Sequence, residues 1–356
     1  MGCSTPFNKV ILNSDKEIEL QELSFDEIKQ WNISSFDSSL ESFRLGCKRV
    51  KPDNIFYEIC QKDSSYSDAK LFFQTHFKAY RWEDSLNSSK ALMTGYYEPL
   101  LEGRLEKDAN YTVPLLGSPS DLIKVNLSSV IPELKGKVVR GRMHEGKLIP
   151  YFSRKEITQN PSPENIICWV KDKVDLFFLQ IQGSGRIQLE NNQTLYVGYG
   201  DKNGHPYQSI GKYMIKHKIM SYGQMSLQGI KAWAKQHPEK IDAILNQNPS
   251  YLFFTINKTP AKGAMGVVLT PRHSLAVDTR YIPLGTPILV QTSHPLTHQP
   301  FSSLAVAQDK GAAIKGGRRL DFFWGFGEEA SQLAGHTKSS ADMIVFLPKD
   351  FKVEID

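Results

Sequence analysis

Ala91-Leu92-Met93-Thr94-Gly95-Tyr96-Tyr97-Glu98-Pro99 opens the part of the chain whose pattern decides its architecture. From about Leu92 to Glu190, short apolar-alternating runs recur with Gly, Pro and Asn between them, at 91–97, 148–152, 166–170 and 176–181. Regularly spaced short strands with such punctuation predict a barrel or a sandwich. On the N-terminal side, residues 1–90 are polar and read as mainly helical. Ser24-Phe25-Asp26-Glu27-Ile28 has the form of a helix start, and 39–43 and 67–77 carry apolar residues at helical spacing. On the C-terminal side, helical spacing returns at 207–217 and 226–236, the latter with Ser226 as N-cap. Strands are then expected at 251–255, 267–269, 275–277, 287–291, 304–307 and 342–347, with a short helix over 327–334. No repeat with a period of 20–50 residues is visible, which argues against a solenoid or propeller.

At 356 residues, two domains are the natural expectation. With 40% hydrophobic and 23% charged residues, the chain is neither wholly disordered nor collagen-like. The net charge of +5 suits an acidic polymer or an anionic surface but does not by itself argue for nucleic acid, which is not expected as a partner. The most apolar stretches, 174–181 and 343–348, are strand-sized and far short of the ~18–20 residues that cross a bilayer. Cys3, Cys47, Cys60 and Cys168 form no CxxC, so no zinc site is expected. Cys47 and Cys60 are spaced to allow pairing, but buried free thiols are the favoured reading. Met1-Gly2-Cys3-Ser4-Thr5 lacks the flanks of an intact signal peptide, and Pro6 argues against myristoylation. Two readings stand: an arbitrary start, or the end of a bacterial lipoprotein signal whose upstream part is missing, with Cys3 bearing the lipid.

The densest polar cluster runs from Ala307-Gln308-Asp309 through Ile314-Lys315-Gly316 to Arg318-Arg319-Leu320-Asp321-Phe322-Phe323-Trp324. Asp309 falls where a strand meets a loop, and Asp321 precedes an aromatic triplet. Two nearby carboxylates invite acid/base chemistry. Rings beside an acid bury it, raise its pKa and offer flat faces to sugars. The plainer alternative has Asp309 capping a turn and Asp321 paired with Arg318 or Arg319. Asp278, before the turn at Pro283-Leu284-Gly285, reads first as a structural residue closing that turn. Glu98 reads as an exposed strand-end residue. Gln182-Gly183-Ser184-Gly185 follows an expected strand and carries no phosphate-loop or nucleophile-elbow pattern, so its glycines serve a tight turn or a close ligand approach. Tyr199-Gly200-Asp201-Lys202-Asn203-Gly204 reads as a polar hairpin tip. The nine histidines show no HExxH, so no metal is expected.

These motifs together resemble the membrane-bound lytic murein transglycosylase A family. Thr94-Gly95-Tyr96-Tyr97-Glu98-Pro99, Gln182-Gly183-Ser184-Gly185, Gly200-Asp201-Lys202-Asn203-Gly204-His205, Asn248-Pro249-Ser250-Tyr251, Ile282-Pro283-Leu284-Gly285-Thr286 and Ala307-Gln308-Asp309 to Asp321 fall in family order over about three quarters of the chain. The sequence departs from the family's usual pattern at Lys310 and Ala312. The resemblance implies a mainly β fold with N-terminal helices: a double-psi β-barrel domain from residues 1–103 and 258–356, a smaller β-barrel inserted over 104–257, and a glycan groove between them. It implies cleavage of the β-1,4 bond between N-acetylmuramic acid and N-acetylglucosamine of peptidoglycan, leaving a 1,6-anhydro ring, without a cofactor. Asp321 aligns with the catalytic aspartate and Asp309 with its acidic neighbour. The candidate substrate contacts are Thr94, Tyr97, Asp278 and Trp324 on the main barrel and Gln182, Gly183, Ser184, Gly185, Lys202 and Asn203 on the insert. The implied partners are peptidoglycan glycan strands and, through Cys3, the inner leaflet of the outer membrane, on its periplasmic face. The competing readings are a non-catalytic, expansin-like wall-binding protein and a two-carboxylate muramidase pairing Asp321 with Asp309 or Glu98.

Overall fold

The computed structural model describes residues 19–29, 31, 35–62, 66–83, 90–135, 138–311 and 313–351. Cys3 and Ala312 lie outside the described residues. The chain divides into two units. The first takes the described residues up to Tyr97 and those from Lys262 onward; the second is Glu98–Ala261.

The first unit begins with β1 (Glu19–Leu23), α1 (Asp37–Cys47), α2 (Tyr57–Lys62), α3 (Ala69–His76), β2 (Phe77–Glu83) and β3 (Lys90–Glu98). The expected helix start at Ser24 is a single 3-10 turn closed by a Ser24–Glu27 capping box. β1 and β2 pair antiparallel in a region read as helical. The 77–83 segment is buried on both faces, Phe77 and Ala79 in one hydrophobic cluster and Tyr80 and Trp82 in another, so it shows no simple alternation that would mark it as a strand.

The second unit comprises β4 (Leu100–Arg104), β5 (Val113–Leu116), β6 (Ile123–Val125), β7 (Val139–His144), β8 (Lys147–Pro150), α4 (Arg154–Gln159), β9 (Ile166–Val170), α5 (Lys173–Gln182), β10 (Gly185–Leu189), β11 (Thr194–Lys202), α6 (Ile210–Lys216), α7 (Leu227–Gln236), α8 (Ile241–Leu245) and β12 (Leu252–Asn257). Its main sheet has the order β12-β11-β10-β4-β9-β5, and β6, β7 and β8 form a separate small sheet. An isolated bridge joins Gly117, just past β5, to Phe254 of β12.

The expected strand over 176–181 lies inside helix α5. Asp172 caps its start by accepting from Val174 N and Asp175 N, and Gly183 ends it in the left-handed region at φ 82°. The helix buries Val174, Leu176, Phe177, Leu179 and Gln180, so its apolar residues nearly surround it and leave no period to read. Ser226 caps α7 as expected, its hydroxyl accepting from Gly229 N.

The chain returns to the first unit with β13 (Ser274–Ala276), β14 (Pro287–Ser293), β15 (Pro300–Asp309), β16 (Arg319–Phe326), α9 (Gly327–His336) and β17 (Lys338–Pro348). Five of these segments were expected. The strand over 319–326 was not, and 267–269 yields only an isolated bridge from Val268 to Lys262. The sheet order β1-β2-β17-β14-β15-β13-β16-β3 closes on itself through a β17–β3 pairing, so six strands form a ring. Alternation then fixes what fills it. Met93, Leu275, Ile288, Val290, Ala305, Ala307, Leu320, Phe322, Trp324, Met343 and Val345 form the inner cluster. The opposite faces of β14, β15 and β17 offer Leu289, Leu304, Val306, Ile344 and Phe346 to a second cluster with Phe43, Phe56, Phe72 and Phe73 from α1–α3 and their connections. Each such fully buried large side chain contributes about 1.5–3 kcal/mol.

Cys47 and Cys60 form a disulfide, with Cα atoms 5.2 Å apart, tying the end of α1 to α2. This corrects the expectation of free thiols for that pair; Cys168 is a buried free thiol. The bridge closes a loop with a sequence separation of 13. Cys47→Ser with Cys60→Ser is therefore expected to cost about 3 kcal/mol, read by urea denaturation, with no change if the bridge leaves the unfolded chain unconstrained.

Candidate active site

Strand alternation decides which side chains can reach a ligand. On β3, Ala91 and Met93 face the inner cluster, and Tyr97 packs against it. Thr94 and Tyr96 take the other face. On β16, Leu320, Phe322 and Trp324 are inside, while Asp321 and Phe323 point away. The outward pairs meet. The Thr94 hydroxyl donates to Asp321 Oδ1 at 2.5 Å, and the rings of Tyr96 and Phe323 lie 5.2 Å apart.

These placements locate Tyr97 and correct Trp324 as a substrate contact. Tyr97 is turned toward the inner cluster, and its neighbour Tyr96 reaches the acids. Trp324 is 3% exposed and offers no face to a sugar; its indole N–H donates to Thr337 Oγ1 at 2.8 Å. Gly95 makes this packing possible, since a Cβ there would come within 2.6 Å of the Trp324 indole nitrogen.

Asp309 and Asp321 are brought together by β13. Ala276 pairs with Asp321 on β16 and with Asp309 on β15. The two acids thus start two strand spacings apart, about 10 Å along the sheet. The β13–β15 register slips between Leu275 and Ala276, passing from Ala307 directly to Asp309. This irregularity leaves Gln308 across from neither residue. Its side chain is fully buried on the helix side. Its Oε1 accepts from Ser274 Oγ at 2.5 Å and from Ser42 Oγ at 3.3 Å, and its Nε2 donates to the Ser42 carbonyl at 2.6 Å. Neither Gln308 nor Tyr96 was singled out from sequence. Tyr96 was available there, since it shares the face of Thr94 in any strand; Gln308 was not, because its partners lie far away in the chain.

The electrostatics separate the two acids. Asp321 is held above the ordinary carboxylate range, chiefly by burial; the Thr94 hydrogen bond and the Arg319 charge oppose this, and Asp309 adds to it. The Arg319 guanidinium donates to the carbonyls of Leu92 and Leu320. Asp309 Oδ1 accepts from the backbone N–H groups of Ala264 at 2.8 Å and Lys310 at 2.9 Å, and Oδ2 accepts from the Tyr96 hydroxyl at 3.2 Å. Burial and the charges of Asp309 and Asp321 keep Tyr96 protonated well above its usual range, so it remains a donor. A half-buried carboxyl with a raised pKa beside a second carboxylate can hold a proton and deliver it.

Asp278 is structural, as its turn suggested, and is corrected as a substrate contact. It is 4% exposed, is gripped by Arg280 Nη2 at 2.6 Å and accepts from Gly316 N at 2.8 Å, which pins the loop between the two acids. The Arg280 hydrogen bonds, helped by that from Gly316, hold its pKa far below the ordinary range against the effect of burial. Glu98 is also corrected: it is 6% exposed and paired with Arg186 at 2.8 Å.

The other candidates belong to the second unit. Gln182 and Lys202 are exposed at the ends of α5 and β11, and Ser184 is half-buried. Gly183 is the helix cap, and Gly185 lets backbone pack closely, since a Cβ would meet Pro99 O at 2.8 Å. Asn203 is not at a hairpin tip. It is 1% exposed, donates to the carbonyls of Phe152 and Pro249, and accepts from Tyr251 N, so its amide is occupied inside the protein. Among the described residues, no three His, Cys, Asp or Glu side chains converge as a metal ion would require.

Residues 92–255 match the family description "MltA specific insert domain", and residues 273–347 match "3D domain". A protein of Buchnera aphidicola subsp. Schizaphis graminum named "Membrane-bound lytic murein transglycosylase A homolog" is 31% identical over 328 residues, 87% of this chain and 83% of its own length. The crystal structure of MltA from Neisseria gonorrhoeae is similar with a TM-score of 0.84 at 33% identity, covering 96% of this chain and 93% of its own. The structure of Escherichia coli MltA with bound chitohexaose has a TM-score of 0.70 at 25% identity, covering 94% and 95%.

Proposed function

This chain belongs to the MltA family of lytic murein transglycosylases, and from that premise we propose that Asp321 serves its reaction first as general acid and then as general base. The protein is a peptidoglycan-cleaving lytic transglycosylase, and its partner is the glycan strand. The observation that supports the assignment is the half-buried Asp321 carboxyl, raised in pKa and held by Thr94.

Protonated Asp321 gives its proton to the glycosidic oxygen as the bond to C1 of N-acetylmuramic acid breaks. The carboxylate left behind takes the proton of the C6 hydroxyl as that oxygen attacks C1 and closes the 1,6-anhydro ring. Asp321 thus ends as it began, and no water is consumed. An intramolecular nucleophile carries an effective molarity of order 10⁵–10⁸ M, so a second carboxylate to activate water is not needed. Asp309, fixed by two backbone donors and Tyr96, favours the protonated form of Asp321. We also read the six-strand ring as a double-psi barrel and the second unit, over about 104–257, as the smaller inserted barrel. The mixed pairing of β13 and the Gly117–Phe254 bridge support this. Thr94 on the first unit, and Gln182, Ser184 and Lys202 on the second, are the proposed substrate contacts.

Mass spectrometry of digested peptidoglycan tests the reaction. Fragments ending in 1,6-anhydro-muramic acid, one water lighter than hydrolysis products, are expected. Reducing ends would instead mean a muramidase, and binding without cleavage a wall-binding protein.

The alkaline limb of the pH–rate profile should respond with opposite signs to two variants. Thr94→Val removes a hydrogen bond that favours the carboxylate, so the pKa of Asp321 rises and the limb moves to higher pH. Asp309→Asn removes a charge that disfavours the carboxylate, so the limb moves lower. Shifts of the same sign would sink the coupling.

The relatives are named membrane-bound, and among the described residues no helix is long and apolar enough to cross a membrane. A disulfide fits an oxidising compartment. We propose the periplasm, with attachment through a lipid on Cys3; palmitate labelling that persists in Cys3→Ser would exclude that anchor.

A further inference from the structure

Arg154, at the start of α4 in the second unit, is 4% exposed, yet no carboxylate among the described residues lies within ion-pair distance of it. Buried charges are ordinarily paired. Instead its Nε, Nη1 and Nη2 donate to Asn248 O at 3.0 Å, Gln180 Oε1 at 2.6 Å and Ser250 O at 2.6 Å. Its guanidinium carbon lies 4.6 Å from the centre of the Phe177 ring and 5.2 Å from that of Tyr251. A guanidinium has five N–H donors, so two are left without an acceptor among the described residues.

Arg154 also lines a cavity of about 300 Å³ within this unit. The rest of the lining is largely apolar, including Leu116, Ile157, Leu176 and Phe177. That volume lies at the lower end for small-molecule sites. Burial draws the arginine's pKa down to about 10, which leaves it charged at neutral pH. At the rim Lys173 and Asp242 pair at 2.6 Å and bring no net charge.

We infer that this cavity binds a carboxylate carried on a small aliphatic group, with the guanidinium of Arg154 facing the carboxylate and the apolar wall taking the alkyl part. The planar fork matches a carboxylate better than a point charge does. A phosphate would bring more charge and hydration than one arginine in an apolar wall can replace. The carboxylate has two sources: the end of a stem peptide on the wall substrate, which rests on the function proposed above, or a free short-chain acid.

The test titrates the whole protein with N-acetyl-alanyl-alanine, its C-terminal amide and propionate, followed by NMR. The acid should bind, and the amide should bind about tenfold more weakly or worse, having lost the charge-assisted pair. Thr158→Trp, at an exposed rim position, should block binding while melting temperature and cleavage of peptide-free glycan stay at wild-type levels. Tighter binding of the peptide than of propionate assigns the site to stem peptides, and equal binding assigns it to free acids. Equal affinity for acid and amide, or no binding of either up to about 10 mM, overturns the inference. Cleavage is read separately in the same preparation, so failure of the cavity shows as lost binding with anhydro products intact. Failure of the enzymatic reading shows as the absence of those products.

Discussion

Asp321→Asn is expected to reduce cleavage of peptidoglycan by about 10³-fold or more while glycan binding survives, because it removes the proton donor and its conjugate base together. The same variant should melt at a higher temperature than wild type at neutral pH. The sign follows from linkage. Asp321 has a folded pKa above its unfolded value of about 3.9, so its contribution is fully present below that pH and is lost as pH rises through the folded pKa. At neutral pH the wild type holds a poorly solvated charge that asparagine lacks, whereas the Thr94 hydroxyl can still donate to the amide oxygen. The gain in melting temperature should fade as the medium is acidified below about pH 4. Near-wild-type turnover would remove Asp321 from the chemistry. A lost activity with a lowered melting temperature at pH 7 would mean that the carboxylate is a structural anchor.

Gln308→Leu should have the next largest effect, through position. It leaves the Ser274 hydroxyl and the Ser42 carbonyl without the buried partner they now have, at about 1–3 kcal/mol for each group left unsatisfied. It also frees the register irregularity that sets Asp309 opposite Ala276. A displacement of about 1 Å at that carboxylate can cost 10²-fold in rate. If Gln308 acts through Asp309, the loss falls mainly on kcat, and the alkaline limb moves down as it does for Asp309→Asn. Gln308→Glu, which keeps the acceptor atoms and loses the donor, should be intermediate and covers the case in which the leucine variant does not fold. Loss of stability with an unchanged limb and kcat would reduce Gln308 to a packing residue.

Much of this site is legible in the amino-acid sequence. Asp309 ends a strand and Asp321 adjoins rings because the local pattern says so, and the ordered motifs pointed to the same family as the later comparisons. Helix α7 and strand β9 were readable because caps and periodicity are local properties. Alternation along β3 likewise separated Thr94 and Tyr96 from Met93 and Tyr97, but a period of two does not say which face is the core. Closure of the ring through the β17–β3 pairing decided that, turning Tyr97 and Trp324 inward and leaving Tyr96 beside the acids. Helix α5 reads as a strand in the sequence because apolar residues around much of its surface erase the amphipathic period. The Cys47–Cys60 bond, the grip on Gln308 and the buried Glu98–Arg186 pair each join residues whose attraction depends on a distance that only the folded chain creates. The sequence by itself determined which chemistry was on hand and the strands that carry it; the tertiary structure decided which faces turned inward and which acid was desolvated, because burial is a property of neighbours brought in from elsewhere in the chain.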